Sequence, residues 1–233
     1  MPLPLPSKEE LDDCQALVDL VCHDIESSGG KLPFTQFMEK VLYTPDVGYY
    51  NSGKPIFGKR GDFITAPEMT PLFSRCVARQ VIQVLSMMEQ QADIVEFGAG
   101  AGTMASDILK ELENQNSLPK HYYIVEISST LKERQAQSIR QHIPHLIEHI
   151  VWVSDMPDNF SGVVLGNEVL DAMPVHRVRL NHNKAHEELF VTYHQNRLEW
   201  VGGPPSSELL KTTLDEIYQK FGGKCKQCWC KEN

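Results

Sequence analysis

The sequence predicts an α/β class: a Rossmann-like, doubly wound, mainly parallel sheet with an N-terminal helical cap and a small antiparallel β insertion. Two observations carry this. Between residues 92 and 174, the apolar runs "DIVEF", "YYIVE", "HIVWV" and "GVVLGN" alternate with amphipathic helical stretches, the pattern of successive βαβ units. The second is "EFGAGAGT" at 96–103, where three alternate glycines join a strand to a helix. Such a turn lets a ligand approach the backbone closely. Composition agrees with a globular chain: of 233 residues, 41% are hydrophobic and 23% charged. A formal net charge of −9 supplies no basic field for a nucleic acid. The longest apolar runs are too short to cross a bilayer.

The elements follow in order. Ser7-x-x-Glu10 reads as a capping box. Leu11, Cys14, Val18, Val21 and Ile25 then keep a helical spacing that stops at Gly29-Gly30. A short second helix is expected over 33–42. Residues 44–68, rich in Gly, Pro and aromatics, lack periodicity, and a loop this long reads as a functional lid. Thr70 before Pro71 opens a helix whose Phe73, Val77, Val81, Val84, Leu85 and Met88 are expected to face a core. Strands are expected at 93–97, 121–126, 149–153 and 162–167, with helices at 103–114 and 129–142. After Pro174, "VHRVRL", "ELFVTYH" and "RLEWV" read as short antiparallel strands before a helix near 206–221. Three segments result: 1–91, helices and covering loop; 92–174, the cofactor-binding core; and 175–233, the antiparallel insertion with a C-terminal helix and tail.

Cys14, Cys22 and Cys76 fall in helical patterns and are expected to be reduced and buried. Cys225, Cys228 and Cys230 crowd the end without a fourth ligand beside them, so no metal is expected. The N-terminus lacks a signal pattern and is acidic where a mitochondrial presequence is Arg-rich. The expectation is a cytoplasmic protein, or a matrix one if it is a trimmed eukaryotic form.

The glycine loop fits E-x-G-x-G-x-G and misses G-x-G-x-x-G, because Thr103 holds the sixth position. In a dinucleotide site the helix N-terminus faces a pyrophosphate. S-adenosyl-L-methionine (SAM) has none: its carboxylate can use the loop amides, while its ammonium and ribose diol each want a carboxylate. Gly98, Gly100 and Gly102 form the loop, Glu96 suits the ammonium, and Glu126 ends the second strand where the ribose would lie. Asp155 follows the third strand, toward the adenine. The spacing favours SAM over NAD, and over a tight turn that binds nothing.

After the fourth strand come Asn167, Glu168 and Asp171, at the edge that faces the reactive end of such a cofactor. Carboxylates there can grip a guanidinium and aim one nitrogen at a methyl group. The plain alternative is that Asn167 and Asp171 cap the following turn.

With those residues in view, the chain resembles the MidA family of SAM-dependent methyltransferases. The resemblance lies in "TPDVGYY", "GKRGDFITAPEMTPLFSR", "IVEFGAGAGTMASDIL", "YYIVEIS" and "GNEVLDAMPVHR". It implies SAM as cofactor, with roles for Glu96, Gly98, Gly100, Gly102 and Glu126. It also makes Gly61, Asp62 and Thr65 candidates in a segment folded over the cofactor. The family includes a mitochondrial assembly factor that methylates an arginine of a core complex I subunit, so an arginine-containing protein, such as a respiratory complex I subunit, is the implied substrate. A small-molecule methyltransferase and a non-catalytic SAM-fold binding or assembly protein are the alternatives. The family pattern continues for another hundred or more residues, through a strand carrying an I-D-Y-G-like sequence and the last sheet strands, and this text ends in "FGGKCKQCWCKEN".

Overall fold

The structure is a computed structural model, described for residues 5–54, 56–58, 61–88, 92–180 and 186–221. Cys225, Cys228 and Cys230 lie outside those residues. Contacts divide the chain into two units, Met1–Gly48 with Met173–Asn233, and Tyr49–Ala172.

Helix α1 (Lys8–Ser27) opens with the expected capping box: Ser7 accepts from the Glu10 amide and Glu10 from that of Ser7. Strand β1 is only Leu32–Pro33, and α2 is Phe34–Tyr43. Helix α3 is one turn, Ala66–Met69. Helix α4 (Pro71–Leu85) starts at Thr70, whose hydroxyl accepts from Leu72 N, with proline at the first position where an amide would be unpaired. Strand β2 (Asp93–Phe97) leads through the glycine turn to α5 (Thr103–Asn114). Strand β3 (Tyr122–Val125), helix α6 (Ser129–His142), a 3-10 turn, β4 (Ile150–Val153) and β5 (Gly162–Gly166) follow. Then come β6 (Val178–Arg179), β7 (Glu187–His194), β8 (Arg197–Gly203) and α7 (Glu208–Phe221).

In the Tyr49–Ala172 unit the sheet is parallel, in the order β4-β3-β2-β5. The order reverses at β2: β3 and β4 run to one side and β5 to the other, and ligands of such sheets sit at the strands' carboxyl ends beside that switch. Ile94, Val95 and Glu96 of β2 are all buried, as befits a strand covered on both faces. Ala78, Val81, Ile94, Ile108, Leu109, Leu112, Tyr122, Ile124, Ile139 and Ile143 form one apolar core. The α4 stripe is narrower than expected: Ala78 and Val81 are buried and Phe73, Val77, Ile82 and Leu85 pack beside them, but Val84 is 45% exposed.

In the other unit β7 pairs antiparallel with β1, β6 and β8. Gln195 and Asn196 both take positive φ, as a two-residue hairpin requires. Val21, Ile25, Leu32 and Val191 form its core, with Phe34, Phe37 and Val41 alongside. Only the second half of α1 is packed; Leu11 and Cys14 are exposed, because the helix outruns the elements it lies on. Cys76 is exposed and Cys22 half-buried, so the expectation of buried thiols fails. This unit is bounded differently from the expected segments at 1–91 and 175–233. The reason is that β1 adds to the sheet made by β6, β7 and β8. Among the described residues, no helix is long and apolar enough to cross a membrane.

Candidate functional site

Gly98, Gly100 and Gly102 all take left-handed backbone, with φ of 61°, 56° and 80°. A side chain at any of them would be strained. Gly98 N donates to Val125 O at 3.2 Å and Gly102 N to Ala99 O at 2.8 Å, which fixes the turn against β3. Gly102 is the cap of α5 and brings no side chain to the helix's first amides. The turn after β5 lies directly against this one, since a Cβ on Gly98 would meet Val169 Cγ1 at 2.9 Å.

Glu126, just past β3, is 6% exposed. Its Oε1 accepts from Ser128 N at 2.9 Å and its Oε2 from Gln135 Nε2 at 3.0 Å. Burial raises its pKa, against the pull of these donors. Gln135, fully buried on α6, also donates to Gly100 O at 3.1 Å and accepts from Trp152 Nε1 of β4 at 3.0 Å. One amide thus joins the glycine turn, the acid after β3 and strand β4. Ser128 caps α6 through Leu131 N, and its hydroxyl also reaches Asn51 Oδ1 at 2.6 Å.

Glu96 is placed differently. It is 1% exposed, accepts from the Tyr122 hydroxyl at 2.8 Å, and burial pushes its pKa up to about 7. It lies inside the sheet's packing, behind the turn.

The segment before α3 covers the glycine turn. Asp62 and Phe63 amides bond to Ile56 O, Gly58 N bonds to Phe63 O, and the Phe57 and Phe63 rings meet edge to face at 5.3 Å. Gly61 is required by close approach: a Cβ there would stand 2.2 Å from Ile56 O. The Phe57 ring lies 3.7 Å from where a Cβ on Gly100 would be. Asp62 accepts from the Tyr49 hydroxyl at 2.9 Å, and Thr65 precedes α3, its carbonyl accepting from Glu68 and Met69. Arg134 of α6 donates to Gly53 O and to Lys54 O, tying the loop down.

Beyond β5, Asn167 is half-buried, while Glu168 and Asp171 are exposed. Glu168 takes φ of 52°, a left-handed conformation that is uncommon for a non-glycine residue and clusters at functional sites. Burial, then the Asp171 and Glu126 carboxylates, raise the Tyr50 phenol, so Asp171 and Glu126 act on one hydroxyl. Asp155 is exposed and accepts from Met156 N at 2.7 Å, capping its own turn.

The structure therefore gathers Gly98, Gly100, Gly102 and Glu126 at one edge, with Phe57 and Val169 against the turn. The residue reading missed Gln135, Trp152, Tyr50, Ser128 and Glu68. Gln135 carried one signal, a polar side chain on the apolar face of α6, four residues before the buried Ile139.

A family model described as "Putative S-adenosyl-L-methionine-dependent methyltransferase" matches residues 76–232. A Drosophila melanogaster protein named "Protein arginine methyltransferase NDUFAF7 homolog, mitochondrial" is 29% identical over 223 residues, which cover 86% of this chain and 51% of that protein. Its Caenorhabditis elegans counterpart is 31% identical over 170 residues, covering 64% and 40%. The chain thus spans about half the length of the curated relatives it matches. A Burkholderia thailandensis protein, crystallised bound to S-adenosyl-homocysteine, superposes with a TM-score of 0.80 at 36% identity, covering 93% of this chain and 57% of that one.

Proposed function

The chain belongs to this S-adenosyl-L-methionine-dependent methyltransferase family, and on that premise we propose that it transfers a methyl group from SAM to a protein arginine. The observation that carries the reading is the left-handed glycine turn at the end of β2, tied through Gln135 to the buried Glu126. Those residues fit the cofactor. Backbone amides of an uncapped helix start can receive its carboxylate, and Glu126 can receive its ribose hydroxyls. Gly61, Asp62 and Thr65 belong to the segment that reaches the glycine turn through Phe57, and there they would border the cofactor.

When bound, the cofactor supplies an electrophilic methyl on a sulfonium. The chain's part is positioning. Glu168, with Asp171, would hold the guanidinium by charge-assisted hydrogen bonds and present one nitrogen to the methyl, and one of these carboxylates would take the proton that this nitrogen sheds as it is methylated. Asn167 borders that grip, and Asp155 lies on the adenine side. The strained backbone at Glu168 favours this role over capping alone. The arginine substrate is supported by the names of the fly and worm relatives, which also favour a mitochondrial site of action over a cytoplasmic one. A respiratory complex I subunit is the substrate that the family resemblance suggests.

The test is incubation with methyl-labelled SAM and a mitochondrial lysate, followed by hydrolysis of the protein fraction. Label recovered as methylarginine is expected. Label only in small molecules overturns the protein substrate, and binding without transfer overturns the enzyme.

A further inference from the structure

An ammonium group needs an accessible, charged carboxylate, and Glu96 offers neither access nor a free oxygen on the Tyr122 side. Its burial and raised pKa favour the neutral acid. A second carboxylate reaches the same turn from the covering segment. Glu68, in α3, accepts through Oε1 from the Thr103 hydroxyl at 2.6 Å, and Thr103 is the first residue of α5, directly after Gly102. Its Oε2 lies 3.7 Å from where a Cβ on Gly58 would stand, and among the described residues no group donates to it. One oxygen is anchored at the helix start and the other is available. The residue is half-buried, so a ligand at the turn can reach it without losing the desolvation advantage of a covered site.

We propose that Glu68 receives the α-ammonium of the cofactor's methionyl end and thereby sets the turn's preference for SAM over phosphate-bearing nucleotides. This rests on the cofactor reading given above. A dinucleotide would place its pyrophosphate against the first amides of α5. An anchored carboxylate at Thr103 puts negative charge beside that position and repels it. The zwitterionic methionyl end also brings a carboxylate to these amides, but it carries an ammonium beside it that gains a charge-assisted hydrogen bond to Glu68 and offsets the repulsion, which a pyrophosphate cannot do. Thr103, which breaks the dinucleotide spacing, is the residue that holds Glu68 in place.

Titration calorimetry tests the pairing as a cycle, with S-adenosylhomocysteine and its analogue lacking the α-amino group as ligands. The proteins are the wild type, Glu68→Gln and Glu96→Gln. The wild type should bind the amino-bearing ligand about tenfold to a hundredfold more tightly. Glu68→Gln keeps an acceptor for Thr103, so it should bind the deaminated analogue as the wild type does and lose most of the preference. Glu96→Gln should keep the preference. A preference undiminished in Glu68→Gln, or equal weakening of both ligands, overturns the assignment. So does a wild type that shows no preference, a result that depends on no variant. A wild type that binds neither ligand overturns the cofactor reading itself, which separates the two failures.

Discussion

Replacing Gln135 by methionine keeps nearly the same volume and removes three hydrogen bonds at once. Its amide donates to Glu126 Oε2 and Gly100 O and accepts from Trp152 Nε1, all within 3.1 Å, from a fully buried position. The bond to Glu126 is to a charged group and is worth about 1.5–3 kcal/mol, and the two neutral bonds about 1 kcal/mol each. The expected loss of stability is therefore about 3.5–5 kcal/mol, measured as a fall in the urea midpoint at unchanged slope. The deficit should also depend on pH. Burial already raises the Glu126 pKa and Gln135 holds it down. Losing that donor raises it further, so the variant should be least impaired at acid pH and increasingly impaired as pH rises through the raised value. S-adenosylhomocysteine binding should weaken by about tenfold or more, because both the ribose acid and the turn lose their tether. A Gln135→Met chain within about 1 kcal/mol of wild type, with a flat pH difference, would refute the reasoning.

Glu96 gives a pH prediction of its own. Its folded pKa is raised from 4.5 to about 7, so its contribution is intact below 4.5 and lost as pH rises to about 7, a swing of about 3 kcal/mol. Glu96→Gln should match wild type in urea melts near pH 4.5 and exceed it by about 2–3 kcal/mol at pH 8; an equal difference at both would contradict this. Gly100→Val should fold but lose S-adenosylhomocysteine binding in calorimetry, since its φ of 56° strains a β-branched residue and its methyls would press on Phe57. Glu168→Gln should bind S-adenosylhomocysteine within about twofold of wild type while methyl transfer falls about a hundredfold or more. Near-normal transfer would leave that turn as structure only.

The parallel core could be read from the sequence because its signals are local. A buried strand is a short apolar run, and Ser7, Thr70 and three glycines punctuate helices and turn by backbone rules that need no partner. What escaped depends on who lies next to whom. Leu32–Pro33 is a strand only because Phe190 and Val191 pair with it, and two residues carry no periodicity. Leu11 and Val84 keep helical spacing yet face solvent, because spacing defines a stripe and not the length of what covers it. Glu126 was visible as an acid at a strand end, but the amide that holds it comes from nine residues further on. Glu68 was hidden by its bond to Thr103, 35 residues away.

The left-handed backbone at Glu168 carries a consequence for anyone selecting for heat resistance. That conformation costs a side-chain-bearing residue about 1–2 kcal/mol, and glycine or asparagine adopts it with little penalty. Glu168→Gly and Glu168→Asn should therefore be among the first gains in a screen that scores survival of the fold alone. Each gain would discard the carboxylate proposed to grip the substrate. Thermostable variants of this chain need a second score, methyl transfer, or the screen will drift toward proteins that hold their shape and have nothing to hold it for.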